Sequence, residues 1–95
     1  MQQETNKAIL TLEIKNELGL HARPATLFVQ LAAGFESDIN VEKDGESVNG
    51  KSLMGLLMLS AGRGSKINIS AEGPDCESAI KAIEELVNSK FQEEN

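Results

Sequence analysis

Gly19-Leu20-His21-Ala22-Arg23-Pro24-Ala25 is the stretch on which the fold turns. Pro24 has no backbone N–H and is tolerated only in the first turn of a helix, so a helix must open within this run. Downstream, Ala25, Phe28, Val29, Ala32 and Ala33 recur at spacings of three and four. That spacing gathers them on one face and predicts an amphipathic helix over Ala22–Ala33. Gly34 is expected as its C′ residue, with Phe35 folding back over the last turn. Upstream, residues 8–15 alternate, with Leu10, Leu12 and Ile14 on one face and Thr11 and Glu13 on the other. This predicts a half-buried strand, joined to the helix by residues 16–19 as a connecting loop.

Asp38–Lys43 alternates again around Ile39 and Val41 and predicts a second strand. Asp44-Gly45 is a tight-turn signal that returns Glu46–Asn49 as a short third strand. Ser52 is a good N-cap, and the Leu- and Met-rich residues 53–59 favour a short helix. Residues 60–65 read as loop and residues 66–71 as a fourth alternating strand. Gly73-Pro74-Asp75 is a turn that hands over an N-cap to a helix over residues 76–91. Met1 to Lys7 reads as a frayed polar end, and residues 92–95 as a polar tail.

The order is β-α-β-β-α-β-α, an α+β chain. We expect one domain over residues 1–95, with an ordered core of about 8–90. Every strand is half polar, so the sheet should have one wet face and one covered by helices. Neither a fixed-period repeat nor a low-complexity linker is visible.

Nine Lys and Arg against fifteen Asp and Glu give a net charge of −6. Such a chain lacks the excess cations that neutralise phosphate backbones, so nucleic acid is not an expected partner. Three Phe and no Trp or Tyr leave no platform for stacking bases. Cys76 is the only cysteine, which rules out an internal disulfide and a cysteine zinc cluster. The longest apolar run is far too short to span a bilayer, and the N-terminus has no signal-peptide core. A soluble, cytoplasmic monomer with no membrane insertion, no metal and no cofactor is expected.

His21 is the only histidine. Most single histidines are structural, but this one stands where a helix begins. Helix N-termini present unpaired N–H groups and a partial positive charge that attract anions. The amides of Ala22 and Arg23 can serve a phosphoryl group, whereas Pro24 has none to offer. The Arg23 guanidinium suits a phosphate oxygen, and Gly19 lets the backbone pass close by. A neutral imidazole at this position would be a nucleophile.

Residues 53–59 are too apolar to be buried on every side in a two-layer domain. Leu53 and Met54, beside Ser52, are the best candidates for an exposed docking patch, and Met suits serial partners. Ser52 caps the helix, and a phosphate on it would set a solvated dianion at the rim of that patch. One competing motif spans Gly45 to Ser52, which matches the P-loop pattern G-x-x-x-x-G-K-[ST]. Glu46 would place a carboxylate inside the phosphate cradle, and the strand before it is half exposed rather than fully buried. Arg63 reads as a rim charge in a turn and Cys76 as a small half-buried side chain.

Gly19 to Ala25, followed by Asn49-Gly50-Lys51-Ser52-Leu53-Met54-Gly55, resembles the histidine-containing phosphocarrier family, HPr, of the phosphoenolpyruvate-dependent sugar phosphotransferase system. The similarity runs from about residue 8 to about residue 90. The resemblance implies an open-faced β-sandwich, a four-stranded antiparallel sheet covered on one face by three helices. It implies that His21 accepts a phosphoryl group on Nδ1 from phosphorylated enzyme I and passes it to enzyme IIA proteins. Arg23 matches the active-site arginine. Ser52 matches a serine modified by an HPr kinase/phosphorylase in many bacteria, which brings in a transcriptional regulator of catabolite repression. Leu20, Leu53 and Met54 are the expected docking residues. The chain would be a carrier and not an enzyme with its own turnover. Two other readings compete with sugar uptake: a regulatory module of a nitrogen-related phosphotransfer branch, and a small nucleotide-binding domain through Gly45 to Ser52.

Overall fold

The computed structural model describes residues 6–92. The elements run β1 (Lys7–Glu13), α1 (Ala22–Ala33), β2 (Asp38–Lys43), β3 (Glu46–Asn49), α2 (Leu53–Met58), β4 (Lys66–Glu72) and α3 (Cys76–Asn88), followed by a short turn at Lys90–Gln92. The four strands form one antiparallel sheet in the order β1-β4-β2-β3. Alternation decides which face is covered. Leu12, Ile39, Val41, Ile67, Ile69 and Ala71 point one way and are buried, while Thr11, Asn40 and Asn68 point to the open face. The helices close the other side, where Ala25, Phe28 and Ala32 of α1 meet Ala79, Ile83 and Val87 of α3 in the same core. The fold is therefore the expected open-faced sandwich with three helices.

The expected strand and helix ranges need four corrections. Strand β1 runs Lys7–Glu13 rather than over residues 8–15: Lys7 pairs with Glu72 and belongs to the sheet and not to a loose end, and the ladder stops where Glu13 pairs with Lys66; residues 1–5 and 93–95 lie outside the described part. Gly34 has right-handed dihedrals (φ −78°), so α1 ends without a left-handed C′ residue. Asp75 stands at the N-cap of α3 but makes no capping bond. Its carboxylate instead accepts the N–H groups of Glu36 and Ser37, both at 2.9 Å, and the Ser37 hydroxyl at 2.6 Å. Finally, α3 stops at Asn88, and Lys90, Phe91 and Gln92 all take positive φ. Phe91 falls four residues after Val87, so helical spacing alone could not reveal the break. The turn tucks its ring, 1% exposed, into the core.

No helix among the described residues is long and apolar enough to cross a membrane.

Candidate functional site

Two loops make the site. The first follows β1. Asn16 is fully buried, its Nδ2 donates to the Gly19 carbonyl at 2.7 Å, and Gly19 N–H donates back to Asn16 O at 3.1 Å. Gly19 itself has φ 70°, and a Cβ there would lie 2.5 Å from the Ala61 oxygen and 2.7 Å from Gly62 Cα. Only glycine meets both conditions. The second loop leaves α2 through Ser60, whose φ of 52° reverses the chain. Ala61 then accepts the Leu20 N–H at 2.8 Å. The loop that follows α2 is thus fastened beside the residue that precedes His21.

His21 is the N-cap residue of α1, with extended backbone (φ −84°, ψ −167°) and no capping bond from its side chain. Its carbonyl accepts the Ala25 N–H at 2.9 Å. The first-turn amides of Ala22 and Arg23 have no partner within the helix. Both residues are exposed, Pro24 is buried, and no carboxylate stands in the first turn to neutralise the helix end. An anion beside the His21 ring would meet two amides and the positive end of the helix dipole, and the exposed Arg23 in the same turn carries a guanidinium of the type that suits a phosphate oxygen.

Helix α1 packs against α2. Ser52 is the N-cap of α2, and its Oγ accepts the Gly55 N–H at 3.0 Å. Leu56 faces the core at 0% exposure, whereas Leu53 (40%) and Met54 (71%) lie on the surface as the sequence suggested. The surface stripe is broader than expected, because Leu57 and Met58 are exposed too. One docking residue is corrected: Leu20 is buried (5%) and belongs to the core, because its N–H is pinned on Ala61 and its side chain turns inward. Leu18, two residues earlier, is the exposed leucine of that loop. A groove of about 620 Å³ between α1 and α3 includes none of these residues.

The P-loop match does not form a phosphate cradle. Asp44 and Gly45 make the β2–β3 hairpin turn, and the next four residues are strand β3. Gly50 is needed for packing, since a Cβ there would sit 2.6 Å from Ile39 Cγ2. The Lys51 ammonium is committed to the Phe35 carbonyl at 2.8 Å. Among the described residues no group of three or more His, Cys, Asp or Glu is placed to hold a metal ion, and Cys76 is a buried free thiol.

The residue that sequence reasoning missed is Asn16. The signal was present, since Asn at the first and Gly at the fourth position is a type I turn pattern.

These features define a small α+β domain, an open-faced sandwich that sets a single imidazole at a helix N-terminus and packs that helix against one with exposed Leu and Met. A family model described as "PTS HPr component phosphorylation site" matches residues 10–89. The chain belongs to this HPr family of phosphocarrier proteins. It is 45% identical over 86 residues to the phosphocarrier protein HPr of Treponema pallidum, covering 90% of this chain and 98% of the relative. It is 51% identical over 72 residues to the HPr-like protein Crh of Halalkalibacterium halodurans, covering 76% and 86%. A crystal structure of HPr from Thermoanaerobacter tengcongensis superimposes with a TM-score of 0.90 at 55% identity, covering 93% and 99%.

Proposed function

We propose that this chain is a cytoplasmic, monomeric, single-domain phosphocarrier of the sugar phosphotransferase system, with His21 as the residue that carries the phosphoryl group. In this reading the lone pair of His21 Nδ1 attacks the phosphorus on phosphorylated enzyme I. A phosphorus–nitrogen bond forms as the bond to enzyme I breaks, and enzyme I keeps that electron pair. The reverse displacement delivers the group to an enzyme IIA protein. The amides of Ala22 and Arg23 and the Arg23 guanidinium receive the charge of the phosphoryl oxygens. Leu53 and Met54, joined by Leu57, Met58 and Leu18, dock the partners in turn. Phosphorylation of Ser52 would put a dianion at the edge of that surface and weaken docking without unfolding the domain.

The observation that carries this reading is the placement of His21 as the N-cap of α1, with no carboxylate in the first turn. The test is incubation with phosphoenolpyruvate, enzyme I and an enzyme IIA protein. Acid-labile phosphate should appear on the chain and pass onward, and His21→Ala should remove it; an unlabelled wild type would overturn the reading. The choice of enzyme IIA acceptor separates sugar uptake from a nitrogen-related regulatory branch. Ser52→Asp should lose onward transfer while staying folded.

A further inference from the structure

Asn16 is a buried polar residue that the transfer reaction described above does not use. It is 0% exposed, although it lies in a short connection, where polar side chains usually face water. Its carboxamide donates to the Gly19 carbonyl at 2.7 Å, and the main chain closes the same turn through Gly19 N–H to Asn16 O at 3.1 Å. The next two residues are Leu20, pinned on Ala61, and His21. The turn is therefore closed by a side-chain bond and a main-chain bond at one end, and fastened to the α2 loop at the other. Alanine would retain the main-chain bond and abandon a buried carbonyl, which loosens the turn where the histidine is set.

We infer that Asn16 is a positioning residue for phosphoryl transfer: its buried carboxamide locks the 16–19 turn and so holds the His21 ring in register with the amides of Ala22 and Arg23. The inference rests on the reading of His21 as the phosphoryl carrier. It acts through the backbone, so it should affect the rate of transfer more than partner docking, because four of the five proposed docking side chains lie on α2 and only Leu18 lies in the turn.

The test compares Asn16→Ala with wild type and with Ile83→Val, a mild core change in α3, in transfer from phosphorylated enzyme I. Asn16→Ala should lower kcat about tenfold, as small misplacements of a reacting group do, with KM within about twofold. Ile83→Val, matched for loss of thermal stability, should keep wild-type kcat. Equal kcat in the two variants, or a change confined to KM, would overturn the inference while leaving the carrier reading intact. An unlabelled wild type would remove both. Should Asn16→Ala fail to fold, proton exchange in the wild type decides instead. Asn16 carboxamide protons protected to the same degree as the Gly19 amide support the lock, and exchange at the rate of an exposed carboxamide overturns it.

Discussion

At the scale of single residues, Gly19 shows how a site is fixed by what is missing. Its φ of 70° is one requirement, and the Ala61 oxygen 2.5 Å from where a Cβ would stand is another. Alanine must relieve both by pushing the two loops apart. Gly19→Ala should therefore destabilise the fold by about 2 kcal/mol or more, combining left-handed strain with a backbone clash. Urea unfolding checks this, and a variant as stable as wild type would contradict the close approach. Glycine's freedom was readable before any coordinates, and so was the helix that starts at Ala22. The inward turn of Leu20 was not, because a leucine in a connection just before a helix can point either way. The tertiary bond from its N–H to Ala61, forty-one positions on, decides it.

At the scale of elements, α2 separates a buried side from an exposed apolar side within six residues. Leu56 is its fully buried side chain, while Leu53, Met54, Leu57 and Met58 face outward. Truncating the inner and outer sides should have opposite signatures. Leu56→Ala opens a cavity and should cost about 2–5 kcal/mol of stability. Met54→Ser should change stability by less than about 0.5 kcal/mol, yet raise KM for partner-dependent transfer several-fold if the patch is a docking surface. Thermal melts together with transfer kinetics read both numbers; a stable Met54→Ser variant with unchanged KM would remove Met54 from the interface. The short helix was legible from Ser52 and the Leu and Met run. Its exposed face was legible only in part, because an element apolar all round has no periodicity to mark the side its neighbours cover. The same limit hid the turn at Phe91, whose position fits a helix and a fold-back equally well.

At the scale of the whole molecule, the sheet order β1-β4-β2-β3 places the second half of the chain between pieces of the first. The connection that follows α1 must then be held against the turn that precedes α3, and Asp75 does this. Sequence reading could place Asp75 at a helix start but could not see that Glu36 and Ser37 arrive to claim its carboxylate. The Ser37 hydroxyl, with the Glu36 and Ser37 amides, holds the Asp75 pKa below its ordinary value of 3.8. A carboxylate depressed in the folded state adds stability that is fully present above its unfolded pKa. That stability is lost as pH falls through the folded value, where protonation discharges the carboxylate whose two oxygens accept the three hydrogen bonds and so weakens them. Asp75→Asn keeps the shape and abolishes the titration. Near neutral pH it should melt below wild type, and the gap should stay constant down to about pH 5, where both states are ionised. Below the unfolded value the gap should narrow, because wild type loses what the variant never had. Melting curves for both proteins from neutral to strongly acidic pH read this directly. A gap independent of pH would mean that the Asp75 charge does not join the two connections.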